Sequence, residues 1–217
     1  MINPEQIKTI DGFTEFRLKE KGSLFISLAY FAEKLKSDLL TDRGKTDEIL
    51  TKLRNQYYDA THHCYAYKFR DGSVKYSDDG EPSGTAGVRI LKAIEHFELT
   101  DIIVVIIRYF GGTKLGTGPL GKAYYDSAYE ALFRATIIKK NAFRLIKISY
   151  SEEFTNPVYR VLGQFGVKIR ESGYEERNFV SGHIKENEMT SFQEALKNLT
   201  KGGVTFEILG EIEYLAV

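Results

Sequence analysis

Cysteine is nearly absent from this 217-residue chain: Cys64 is the only one, so no internal disulfide can form. Secreted chains of this size more often carry several cysteines, which argues against an oxidising compartment. Tryptophan is missing altogether, and net charge is zero, with 30 basic and 30 acidic residues. A neutral chain has no global field with which to wrap duplex DNA. Neither part compensates, since residues through Lys140 hold 21 basic and 19 acidic side chains and the remainder 9 and 11. Long apolar runs are also lacking. The longest, Ile102–Ile107, is far too short to cross a bilayer, and Met1–Lys19 has scattered charges and no apolar segment of the kind a signal peptide needs. These absences lead to the expectation of a cytoplasmic protein with no membrane contact.

What is present suits a globular α/β protein, at 42% hydrophobic and 28% charged residues. Phe13–Leu18 and Ser23–Tyr30 read as strands joined by a Lys21-Gly22 turn. Thr46–Asp59 reads as a helix with an apolar stripe at Ile49, Leu50, Leu53 and Tyr57. Cys64–Phe69 and Val74–Tyr76 form a hairpin signalled by Asp71-Gly72. Ser83-Gly84-Thr85 is expected to open a helix reaching Glu98. Asp101–Tyr109 contains a six-residue apolar run that predicts a strand buried on both faces. A glycine-rich loop follows, then a helix beginning near Pro119. Beyond residue 138 the pattern restarts as strand, helix, two strands, helix, strand, the βαββαβ order of a ferredoxin-like domain. The expected fold is therefore α+β, with domains at residues 1–138 and 139–217.

Three segments hold candidate chemistry. The loop Gly111–Lys122 joins a buried strand to a helix. Its glycines permit close approach, the helix start offers free N–H groups, and no acid lies between Arg108 and Lys122. Arg108, Gly111, Gly112, Lys114, Gly116 and Lys122 are thus candidates for binding an anion or nucleic acid; the plain alternative is a loop needing glycines only for tight turns. Two familiar patterns inside it fail on context. Gly116-Thr-Gly118-Pro-Leu-Gly121 lacks the acid that a dinucleotide site wants about twenty residues on. Gly116–Ala123 puts alanine where a phosphate-binding loop needs a hydroxyl for magnesium.

The second segment, Ser77–Gly87, packs Asp78, Asp79 and Glu81 ahead of a helix. They read either as turn and cap residues, with Ser83 or Thr85 capping, or as a divalent-metal or acid/base site whose groups line a pocket. The spacing is not that of a calcium loop, and no metal or cofactor is expected. The third segment, Ala60–Tyr67, carries His62 and His63, which alternate faces on a strand and so are poorly placed to share a metal. His62 is kept as an acid/base candidate, and Cys64 reads as a small buried residue. Aromatic residues flank the glycine loop at Tyr109, Phe110, Tyr124 and Tyr125, suiting either base stacking or core packing.

Asp78-Asp79-Gly80-Glu81-Pro82-Ser83-Gly84-Thr85-Ala86-Gly87, followed by Arg108-Tyr109-Phe110-Gly111-Gly112-Thr113-Lys114-Leu115-Gly116, closely resembles the signature of the YigZ/IMPACT family. Ala60–Ala66 and Lys21–Ile26 resemble its other two blocks. The resemblance implies a ribosomal-protein domain-2-like α/β domain, a fold also seen in elongation factor G, followed by a ferredoxin-like domain akin to that factor's last one. It implies an association with RNA, the ribosome or a translation-related protein; the competing reading is a hydrolase or other enzyme acting on a phosphorylated or anionic substrate. The eukaryotic relative controls a stress-responsive kinase with an extra N-terminal module not found here, so that role is not expected. One departure stands out: where the family usually has Gly-Gly-Leu-Val-Arg-Ala-Tyr, this chain has Gly118-Pro119-Leu120-Gly121-Lys122-Ala123-Tyr124. Lysine keeps the charge but loses arginine's two-pronged geometry.

Overall fold

The computed structural model describes residues 5–32 and 44–216, which divide into two compact units. One spans Ile7–Lys139; the other spans Lys140–Val217 and also takes Glu5 and Gln6. Both are α+β.

The first unit is built on a five-stranded antiparallel sheet: β2 (Phe13–Glu20), β3 (Ser23–Phe31), β6 (Ile102–Tyr109), β4 (His62–Lys68) and β5 (Val74–Ser77), in that spatial order. The apolar run forms central strand β6, and alternation of its side chains feeds two cores. Ile102, Val104 and Ile106 face α2 (Gly87–His96) and α3 (Thr117–Phe133), against Ile90, Ile94, Leu120 and Tyr124. Ile103, Val105 and Ile107 face the opposite way, with Leu50 and Leu53 of α1 (Gly44–Gln56). Helices on both faces explain a continuous apolar strand in an antiparallel sheet, where one wet face is more usual.

The second unit follows β7 (Ile137–Tyr150), α4 (Thr155–Gln164), β8 (Lys168–Tyr174), β9 (Asn178–Lys185), α5 (Met189–Thr200) and β10 (Thr205–Ala216). Its strand order is β10, β7, β9, β8, every pairing antiparallel, which is the ferredoxin-like arrangement. Ile146, Ile148, Val180 and Ile184 form its core with Val158, Leu162, Phe192 and Leu196 of the two helices.

Two features depart from the sequence reading. A strand precedes Phe13: β1 (Gln6–Ile10), five residues with little periodic signal. In the first unit the Asp11 N–H donates to the Thr136 carbonyl, and in the second the Ala142 N–H donates to the Glu5 carbonyl. The second departure is that α2 starts at Gly87, not at Ser83. Ser83-Gly84-Thr85 is turn instead, with Thr85 Oγ1 donating to the Pro82 carbonyl at 2.6 Å.

Gly87 shows why that start is fixed. A Cβ there would lie 2.8 Å from the backbone N and O of Ser77. Backbone has no rotamer with which to yield, so Gly87→Ala should destabilise the fold by about 1–3 kcal/mol. Urea unfolding should show a lower midpoint at unchanged slope.

Candidate functional site

The acidic segment and the strand end before the glycine loop meet at Arg108. The residue is 5% exposed, and its guanidinium projects toward the turn after β5, where Nη1 donates to Glu81 Oε1 at 2.5 Å. Nη2 donates to Ser23 Oγ at 3.3 Å, and the Gly111 N–H donates to that same hydroxyl at 3.2 Å. The Phe25 and Phe110 rings lie 5.3 and 5.6 Å from the guanidinium carbon. Glu81, 8% exposed, also accepts from the Tyr124 hydroxyl at 2.7 Å, while His62 Nε2 stands 3.8 Å from its other oxygen. A buried charge is tolerated when paired and hydrogen-bonded, and each member of this pair has a second polar partner. Arg108, a candidate for binding an anion or nucleic acid, is thus buried, and its charge is met by Glu81 within the fold.

The neighbouring carboxylates hold backbone. Asp78 Oδ1 accepts the N–H groups of Ala86 and Gly87, and Oδ2 accepts that of Gly84, all within 2.9 Å. It is thus Asp78, nine residues upstream, that satisfies the open start of α2 and meets its positive end, where Ser83 or Thr85 was expected. Ser83 is exposed, while Thr85 is buried. Asp79 Oδ2 accepts the His63 N–H at 2.7 Å, and Oδ1 lies 3.5 Å from Arg54. Among the described residues, no group of three His, Cys, Asp or Glu side chains is placed to hold a metal ion.

The two histidines part as strand geometry requires. His62 contacts the Asp79 carbonyl through Nδ1 at 2.8 Å. His63 points to the other face and is buried; burial lowers its pKa, with nearby Asp79 opposing the shift and Arg54 adding to it. Cys64 donates to the Asp78 carbonyl and lies 3.3 Å from the Tyr124 hydroxyl. Burial pushes the Cys64 thiol and the Tyr124 phenol well up, so both stay protonated at neutral pH. Cys64 is thereby a packed donor and no ready nucleophile.

The remaining candidates lie at the surface, and of these Gly111 joins the network through its N–H to Ser23. Gly111, Gly112, Lys114 and Gly116 are exposed, and so is Lys122, which pairs with Asp126 one turn along α3. Gly111 packs backbone to backbone on the Lys21-Gly22 turn, since a Cβ there would fall 1.9 Å from the Gly22 carbonyl carbon. Exposed Lys21 thus shares an edge with the glycine loop.

Ser23 and Tyr124 are the contributors that sequence reasoning did not place here. Tyr124 had a readable signal: it lies on the core face of α3, four residues from both Leu120 and Ala128, so its hydroxyl needed a buried partner. Ser23 had none beyond its position inside Lys21–Ile26.

The Impact N-terminal domain profile matches residues 21–132, and these include every residue of the network. IMPACT family member YvyE of Bacillus subtilis is 34% identical over 173 residues, 79% of each chain. The chain belongs to the IMPACT family. Another member, YigZ of Escherichia coli, is 30% identical over 179 residues, 78% of this chain and 88% of that one. Family likeness reaches eukaryotes: a protein named IMPACT homolog from Saccharomyces cerevisiae is 30% identical over 122 residues, covering 54% of this IMPACT-family chain and 44% of the yeast protein. A crystal structure of a hypothetical protein superposes with a TM-score of 0.64 at 24% identity, over 96% of this chain and 99% of that one, which shows a shared fold.

Removing one member of the buried pair strands the other. Glu81→Gln should cost about 3–5 kcal/mol, and Glu81→Met with Arg108→Met together should cost less than the sum of the singles, measured by urea unfolding as a double-mutant cycle. A separate expectation follows from His63. Its folded pKa lies below the unfolded 6.5, so the unfolded chain binds the extra proton and stability is lost as pH falls from 6.5 through the folded value. His63→Gln should remove that component, so its stability difference from the native chain should change between pH 7.5 and 5.5.

Proposed function

We propose that this chain is a binding protein of the translation apparatus, and that it takes single-stranded RNA on the edge formed by the glycine loop and the β2–β3 turn. The observation that carries this reading is the Gly22–Gly111 contact. It sets Lys21 beside a loop whose Lys114 is exposed, with no acid between Arg108 and Lys122; Lys122, also exposed, pairs with Asp126. Phe110, 44% exposed at the start of that loop, offers a ring face for an unpaired base. Phosphates would meet the lysines and the loop's backbone N–H groups, so attraction is electrostatic and carries little sequence information. Family membership supports a setting in translation, and such a role would place the protein in the cytoplasm with the ribosome. Among the described residues, no helix is long and apolar enough to cross a membrane.

The alternative of a hydrolase draws on the same residues but fits them less well. It requires a carboxylate free to take a proton, whereas Asp78 holds three backbone N–H groups, Asp79 holds His63 and Glu81 holds Arg108 and Tyr124.

Fluorescence anisotropy with a labelled oligouridylate tests the proposal. Binding should weaken as salt rises, with a logarithmic slope of about 0.7 per phosphate neutralised on a single strand. Lys21→Glu with Lys114→Glu should lower both affinity and slope, while Phe110→Ala should lower affinity and leave the slope in place. Binding that ignores salt, or survives the double charge reversal, would end this reading.

A further inference from the structure

We infer that the ferredoxin-like unit carries a docking groove for an extended, basic, proline-containing segment of a partner protein. The groove lies at the end of the sheet where β7 and β8 finish and β9 begins, with a volume of about 870 Å³. Tyr150, Tyr159, Tyr174 and Phe179 line it. Core packing accounts for Tyr150, which belongs to the cluster under α4 and α5. It does not account for Tyr174, 73% exposed, or Tyr159, 40% exposed. Several tyrosines converging on one open groove, with apolar faces and wet hydroxyls, form the kind of surface on which a polyproline II segment lies. Such a segment is extended before it binds, so little conformational entropy is lost on docking, and its carbonyls are free to accept hydrogen bonds. Tyrosine hydroxyls and the Asn178 amide in the lining supply donors.

Charge selects the occupant. Glu152 and Glu176 stand exposed at the rim. Arg177, also exposed in the lining, donates to Ser151 Oγ at 2.9 Å and to the Gly203 carbonyl at 3.3 Å, uncharged acceptors that orient the guanidinium and leave its charge in place. Lys147, over the Phe179 ring at 4.4 Å, is held by both oxygens of Glu175. The lining therefore holds two exposed carboxylates against one guanidinium, and its balance stays negative. That favours lysine or arginine flanking the prolines over a nucleic acid, whose bases could also stack on tyrosine but whose phosphates would meet the carboxylates.

The test titrates the full chain, observed by amide NMR, with a ten-residue alternating Pro-Ala peptide ending in two arginines. The same peptide ending in two glutamates and an oligouridylate serve as comparisons. The arginine peptide should shift the Tyr159, Tyr174 and Asn178 signals, and Tyr174→Ala should weaken it at least about tenfold. Glu152→Lys with Glu176→Lys should transfer preference to the glutamate peptide. The inference is overturned if the arginine peptide leaves these signals unmoved, if Tyr174→Ala binds it as well as the native chain, or if the oligouridylate displaces it from the groove. RNA held on the glycine loop of the other unit would leave the three signals in place, so the two readings fail separately.

Discussion

Arg108 brings a full positive charge to the end of the strand with most of its residues buried, and the region around it is arranged to match that charge. Glu81 must reach it, which requires the turn after β5 to fold back over the sheet. Tyr124 must reach Glu81 from α3, and Ser23 must reach both Arg108 and the Gly111 N–H. One desolvated pair thus ties β3, β6, α3 and two loops together. In a buried setting the alternative to that meeting is an unpaired charge, whose cost far exceeds that of a missed surface contact.

The same constraint separates two kinds of polar residue that stand side by side in the chain. Asp78, Asp79 and Glu81 face inward onto backbone N–H groups, a strand end and a guanidinium, and in doing so they hold the segment before α2 in shape. Lys21, Lys114 and Lys122 are exposed, and of these Lys122 pairs with Asp126. The acids organise the region from within, while these lysines lie at its surface. On the binding role proposed above, it is the surface cations that would meet the partner.

The second unit follows a different economy. Its core is confined to the sheet face under α4 and α5, and most of β8 is exposed. Its ion pairs, among them Arg144 with Glu186 and Lys147 with Glu175, are partly exposed, and a tyrosine-lined groove lies at the strand ends. The first unit buries its central charge pair, whereas the second keeps such pairs at the surface.

Periodicity and turn chemistry were enough to read most elements. The six-residue apolar run has the signature of a doubly covered strand, Asp71-Gly72 is a good hairpin signal, and the βαββαβ order of the second half is readable from its patterns. β1 escaped because five residues carry too little period. The cap of α2 escaped because local rules look for a partner within a turn, while Asp78 reaches across nine residues. Sequence by itself determined which residues are apolar, where the backbone must bend and which family signature is present, because those properties are local. That Arg108 is buried against Glu81, and that three neighbouring acids meet backbone N–H groups, a strand end and a guanidinium, was decided only by tertiary structure. Desolvation and pairing depend on which distant segments come to lie against them.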